Sequence, residues 1–197
     1  MSDRLTKDTI GQALRLLEGF LREENAAPVD LVVCGGSSLI ALGLVVRTTR
    51  DVDVMALRKP DGELLCSNPL PESVEQAVRR VADVLGLDGH WLNAGPASQI
   101  KTGFPEGMAA RLHPVQYGTH LTISYVDRYD LIHFKVCAAT DNGPGRHADD
   151  LLALKPTPEE MLAAAQWALM QDVSEGFRTV LKDMLRRLGY ERASGAI

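Results

Sequence analysis

The sequence has only three cysteines, Cys34, Cys66 and Cys137, widely spaced and without a C-x-x-C pair. That odd, scattered set excludes a disulfide framework and a zinc knuckle. Basic charge is also scarce: 21 Lys and Arg stand against 26 Asp and Glu, giving a formal charge of -5 and a pI near 5.5. The chain therefore lacks the positive field on which nucleic-acid-binding proteins depend, which weighs against an RNA partner. No stretch reaches the ~18 apolar residues of a membrane span. Residues 1 to 24 intersperse Asp, Glu, Lys and Arg where a signal peptide would carry an apolar run. The expectation is a cytoplasmic protein without a membrane partner. The five histidines show no H-E-x-x-H or comparable metal spacing.

What is present is ordinary globular composition, 45% apolar and 24% charged over 197 residues. This is enough for one sizeable core, or a compact domain with a helical appendage. From Thr6 to Glu24, Ile10, Ala13, Leu14, Leu17, Phe20 and Leu21 follow the three-and-four spacing of an amphipathic helix. Asp30-Leu31-Val32-Val33-Cys34 is a short β-branched run that ends at a glycine pair, as a buried strand would. Ser37 and Ser38 stand where a helix N-cap is expected, followed by Leu39, Ile40, Leu42 and Leu44. Asp51 to Leu57 alternates acidic and apolar residues and predicts a second strand.

Turn formers crowd residues 58 to 70, and Pro71 opens a helical pattern that ends near Gly86. Residues 93 to 107 read as loop, and residues 111 to 116 pair with 121 to 126 in a hairpin. The remainder reads as helical: a segment capped by Asp130 and running through Thr140, one from His147 or Ala148 through Leu154, one starting at Pro156-Thr157-Pro158-Glu159-Glu160, and one from Ser174 to Leu188. Trp91 and Trp167 are expected as core or interface anchors. Arg186, Arg187 and Arg192 form a small basic tail.

Asp51 and Asp53, two apart on a strand, project their carboxylates from one face while Val52 and Val54 point into the core. Two hard oxygen donors on one face suit magnesium, with manganese as the alternative, in phosphoryl or nucleotidyl transfer. Upstream, Gly35 and Gly36 let backbone approach a phosphate closely. Ser37 and Ser38 begin a helix whose amide end favours anions. No Lys-Ser/Thr follows the glycines and no third glycine completes a dinucleotide fingerprint, so neither a P-loop nor a Rossmann turn is read. Arg47 and Arg50 flank the acidic pair and are candidates for phosphate or acceptor contact.

In order and spacing, Val32-Val33-Cys34-Gly35-Gly36-Ser37 followed by Arg47-Thr48-Thr49-Arg50-Asp51-Val52-Asp53-Val54 resembles the polymerase-β-like nucleotidyltransferase superfamily. The match covers residues 31 to 55. It is more narrowly similar to the branch holding the AbiE-type abortive-infection toxins, the related MenT toxins and uncharacterised bacterial nucleotidyltransferase-like proteins. A second block of that branch has a counterpart in Asp130-Leu131-Ile132-His133-Phe134-Lys135 and Arg146-His147-Ala148-Asp149-Asp150-Leu151. The resemblance implies that Lys135 neutralises nucleotide phosphate, and that Asp150, with Asp149 as the neighbouring candidate, orients that lysine or assists the acceptor. Many relatives present a third carboxylate from a later strand; here only Asp127 and Asp130 are placed for it, and Asp130 is more simply a helix cap.

The expectation is an α+β protein, with a polymerase-β-like core and mixed sheet over residues 1 to 128 and a helical C-terminal region over 129 to 197. That region would return Lys135 and Asp150 to the site. The expected reaction is magnesium-dependent transfer of a nucleoside monophosphate from a nucleoside triphosphate to a hydroxyl. The resemblance points to tRNA or another RNA as acceptor and to a cognate antitoxin protein as partner. The alternative is a catalytically degenerate fold that binds a nucleotide or a protein.

Overall fold

The computed structural model describes residues 4–143 and 145–197. The chain forms two compact units: Met1–Ile100 with Gly107–Asp127, and Lys101–Glu106 with Arg128–Ile197. The segment Lys101–Glu106, read from sequence as part of the N-terminal core, groups instead with the helices. There the Gln171 side chain accepts from the Lys101 and Thr102 amides and donates to Thr102 Oγ1 and the Gly103 carbonyl.

The first unit opens with helix α1, Lys7–Glu23, capped by Thr6, whose hydroxyl accepts from the Thr9 amide. Its buried stripe of Ile10, Ala13, Leu14, Leu17 and Leu21 follows the expected period. Strand β1 (Val29–Cys34) leads directly into the short helix α2 (Gly35–Ala41), and β2 (Val52–Arg58) follows. A two-residue strand β3 (Leu64–Leu65), helix α3 (Glu72–Leu85) and another short strand β4 (Leu92–Asn93) come next. A 3-10 turn (Gly95–Gln99), helix α4 (Met108–Arg111) and the hairpin of β5 (His113–Gln116) and β6 (Leu121–Tyr125) complete the unit. Gly86 ends α3 in the left-handed conformation.

The strands form one mixed sheet in the order β3-β2-β1-β6-β5, with β4 alongside β2. β1 is antiparallel to β2 and parallel to β6. The hairpin register His113↔Tyr125 to Gln116↔Thr122 leaves β5 as the outer strand of that path, with all four of its residues exposed. α1 and α3 cover one face of the sheet. There Leu14, Leu17, Leu31, Val33, Val52, Val54, Val74, Val81, Trp91, Leu121 and Ile123 form one apolar cluster. Trp91 is the anchor expected of it, donating its indole N–H to the Val78 carbonyl. Arg80 ties the two helices from outside, lying 3.9 Å above the Phe20 ring and bonding Glu23 and Glu24.

The second unit consists of α5 (Arg128–Asn142), α6 (Arg146–Ala153), α7 (Pro158–Gln171), α8 (Glu175–Arg187) and α9 (Glu191–Ala196). Asp130 is not the cap of α5: the helix starts two residues earlier and Asp130 lies fully buried inside it. The last helix, α9, was not foreseen. The basic tail read from sequence falls on the end of α8 and on α9. α7 is started by a capping box between Thr157 and Glu160, with Pro158 at its first position. Trp167 on this helix meets the rings of His133 and Phe134 edge-on at 5.9 and 5.3 Å, so the second tryptophan also anchors a core.

Arg128 binds both oxygens of Glu160 at 2.7 and 2.9 Å and also donates to the Leu154 and Lys155 carbonyls. One guanidinium thus joins the start of α5 to the end of α6 and the cap of α7. The hydrogen bonds from Arg128 hold the Glu160 carboxyl below its ordinary range, with the Thr157 amide contributing. A depressed folded value means stability that is present above the unfolded carboxyl pKa, ~4.3, and lost as pH falls through the folded value. Urea-unfolding midpoints measured from pH 6 to pH 3 should therefore fall more steeply below ~4.3 in the wild type than in Glu160→Gln. Parallel curves would show that the pair does not contribute.

Candidate functional site

The site begins where β1 ends. Gly35 takes φ +68, which L side chains rarely adopt, and a Cβ placed there would collide with the Asp53 carboxylate and stand 3.3 Å from its Cγ. Glycine is required on both counts: for the left-handed turn, and for the seat it leaves to Asp53. Cys34 is the N-cap of α2, so Ser37 and Ser38 lie inside the helix and do not cap it. Both are fully buried. Their hydroxyls turn back onto the strand just left, Ser37 donating to the Cys34 carbonyl at 3.0 Å and Ser38 to the Val33 carbonyl at 2.6 Å. These bonds fix the angle at which α2 leaves β1. The donors the turn can offer an anion are then the first-turn amides, which have no intrahelical carbonyl to bind.

β2 brings the acidic pair to this turn. Asp53 is the register partner of Cys34 on β1 and of Asn93 on β4. Val52 and Val54 are buried in the core, whereas Asp51 and Asp53 are half-buried, so the alternation places both acids on the opposite side. Asn93 was missed from sequence as a neighbour of Asp53. Its side-chain oxygen Oδ1 accepts from the Gly95 amide, so it sets the turn that packs beside β2. The start of β2 is also held by the Val52 amide on the Trp91 carbonyl.

The connection from α2 to β2 is pinned at Thr49, which exchanges two backbone hydrogen bonds with Leu5 at 2.6 and 3.0 Å. Arg47 precedes this point, half-buried, with its guanidinium donating to the Thr48 carbonyl. Arg50 is exposed directly before Asp51. Asp127, the candidate third carboxylate, bonds His113 Nε2 at 2.7 Å. Among the described residues no group of three or more His, Cys, Asp and Glu is arranged to hold a metal ion. The acidic face therefore offers two carboxylates. Magnesium is commonly held by one or two carboxylates, with its remaining positions filled by water and substrate phosphates, so this donor set fits a nucleotide-bound ion.

In the helical unit, α5 and α6 bring Lys135 and Asp150 together. The ammonium donates to Asp150 Oδ2 at 2.7 Å, and the two side chains are 7% and 5% exposed. Asp149 is exposed. His147 lies within the first turn of α6, half-buried. Neither Cys66 nor Cys137 is tuned for nucleophilic work. Burial, aided by Asp141 and Asp172, pushes Cys137 up to about 12, and burial also raises Cys66. Among the described residues no helix is long and apolar enough to cross a membrane.

No curated protein and no solved structure matches the chain. A family model described as "Nucleotidyltransferase of unknown function (DUF6036)" matches residues 12–144. That span runs from the first turns of α1 to the end of α5 and takes in the glycine turn, the Asp51–Asp53 pair and Lys135. A strand, a glycine turn that seats a carboxylate, and a second strand bearing two acids on one face are thus matched together, and the chain belongs to this nucleotidyltransferase family.

Proposed function

We propose that the chain transfers a nucleoside monophosphate from a nucleoside triphosphate to a hydroxyl, using magnesium, or manganese in its place, held by Asp51 and Asp53. The observation that carries this reading is the seating of the Asp53 carboxylate against Gly35, with Asp51 on the same face. Carboxylate and glycine turn are then close enough to engage one triphosphate. When bound, the ion supplies positive charge that offsets what develops on the phosphate oxygens.

The remaining work falls to the protein. The amides that open α2 at Gly35, Gly36, Ser37 and Ser38 face the phosphates, where partial positive charge favours anions. The buried bonds of the two serine hydroxyls keep that turn rigid, so its dipoles need not reorganise as charge moves. Arg47 and Arg50 stand next to the acids and contact phosphate or acceptor. In the transfer, the acceptor oxygen bonds the α-phosphorus and the bond to the bridging oxygen breaks. Pyrophosphate leaves with that electron pair, and the hydroxyl proton passes to solvent. An RNA acceptor such as tRNA, with a cognate antitoxin as partner, is the version the motif resemblance suggests. The charge of -5 argues against an extended RNA surface. The two-acid donor set also supports the second reading, a fold that binds nucleotide without turning it over.

Isothermal titration with each nucleoside triphosphate in magnesium should show binding that weakens at least about tenfold, 1.4 kcal/mol, in Asp51→Ala/Asp53→Ala. Transfer of radiolabel from the bound triphosphate to RNA would then separate the enzyme from the binding fold. Failure of well-folded wild type to bind any triphosphate would sink both. Gly35→Ala should cost ~1–2 kcal/mol of stability from the left-handed backbone alone, and should abolish binding by displacing the Asp53 carboxylate.

Lys135 carries two separable roles, as partner of Asp150 and, by resemblance, as phosphate ligand. Lys135→Ala should lose about 3–5 kcal/mol by stranding a buried carboxylate, whereas Lys135→Met/Asp150→Leu should recover most of it. Nucleotide affinity in that double variant decides the second role. A wild-type value would leave the pair a structural link only.

A further inference from the structure

On the other side of α2, the first unit contains a cavity of about 300 Å³ bounded by α1, α2 and the β5–β6 hairpin. On α1 its wall is Lys7, Gly11 and Arg15, four residues apart and therefore on one stripe of the helix. Gly11 leaves the middle of that stripe bare. The Arg15 guanidinium lies over the gap, 3.6 Å from where a Cβ at Gly11 would stand. Neither Lys7 nor Arg15 has an ion-pair partner among the described residues. Asp8, exposed at the same rim, leaves a net positive mouth.

The floor is aromatic. Tyr117 and Tyr125 line the cavity with their phenol oxygens 3.2 Å apart. One phenol donates to the other, so the accepting phenol keeps its own hydrogen for a third group. No residue among those described takes it. Burial, with the Tyr117 bond, pushes Tyr125 above the ordinary phenol range, so it stays a neutral donor at any physiological pH. The remaining walls are Ile10 from α1, Ile40 and Ala41 from α2 and Val115 from β5, with Ser37, whose hydroxyl is already given to the Cys34 carbonyl. Two cations and one unused phenol hydrogen thus converge on an apolar, aromatic-lined space of the size that takes small organic molecules.

We infer that this cavity is a binding site for a small organic anion, an acidic head on an aromatic or aliphatic body. The head meets Arg15, Lys7 and the spare phenol hydrogen, and the body lies against Ile40, Ala41, Val115 and the tyrosine rings. A carboxylate and a phosphate monoester share this chemistry. A free inorganic anion lacks the body and binds far more weakly. Ser37 belongs both to this wall and to the turn proposed to face the phosphates, whereas neither Asp51 nor Asp53 lines the cavity, so the aspartate pair separates the two sites experimentally.

Benzoate and phenyl phosphate are suitable probes, titrated into full-length protein with ¹³C-labelled tyrosine while the ring signals of Tyr117 and Tyr125 are followed by NMR. At least one of the two should saturate at one equivalent, and inorganic phosphate should bind at least tenfold more weakly. Arg15→Gln, an exposed change that leaves the fold intact, should weaken the probe tenfold or more. Ala41→Phe, which fills the space, should abolish binding. Asp51→Ala/Asp53→Ala should bind the probe as the wild type does, so loss of nucleotide binding and loss of this site are read independently. The inference is overturned if neither probe saturates, if Arg15→Gln binds as the wild type does, or if the double aspartate variant loses the probe.

Discussion

The contact between the Asp53 carboxylate and the bare backbone of Gly35 sets the terms for everything around it. A side chain at position 35 would exclude the acid, and an L residue would resist φ +68. The chain must therefore leave β1 through this turn, and α2 must start immediately. The serines that follow turn their hydroxyls inward, onto Val33 and Cys34, to hold that start in place. β2 then runs antiparallel to β1 with Asp53 in register with Cys34. The Trp91 carbonyl and β4 on its other side keep the strand from sliding. A one-residue slip would carry both aspartates into the apolar cluster and both valines out of it.

The helical unit is organised on a different principle. Its apolar contacts are generic, but two ionic links specify how the helices are arranged. Arg128 gathers the ends of three helices through one planar group, with solvent reaching part of it. Lys135 and Asp150 are almost dry. The first kind of link responds to pH and salt, whereas the second answers chiefly to the removal of either partner. A buried pair of this kind earns little net stability over apolar residues of the same volume, and its value lies in specifying one helix arrangement.

The parts legible in the sequence were those that local pattern decides. The amphipathic stripe of α1, the apolar run of β1, the hairpin, the Thr157–Glu160 box and the alternation around Asp51 and Asp53 are each set by neighbours within a few residues. The order of strand, glycine turn, helix and acidic strand was legible for the same reason. Partners far away in sequence decided the rest. Ser37 and Ser38 read as caps because the position suits one, yet the carbonyls of the preceding strand outcompeted the helix amides. Asp130 read as a cap because nothing local announces that a helix beginning at Arg128 will bury it. The adherence of residues 101–106 to the helices depends on Gln171, some seventy residues on. The pairing of β4 with β2 rests on two residues, too few for any period to register.

The outer strand β5 carries Pro114. Because the Tyr117 amide points toward β6, alternate positions along the strand point the other way, and Pro114 and Gln116 are the two that face outward. One of the two outward positions thus has no hydrogen to give. A chain laid along this edge would find a gap in the ladder halfway along, which disfavours pairing between copies or with a stray segment. The same strand supplies Val115 to the rim of the cavity beside α1. An edge that repels other strands keeps that rim clear for something smaller.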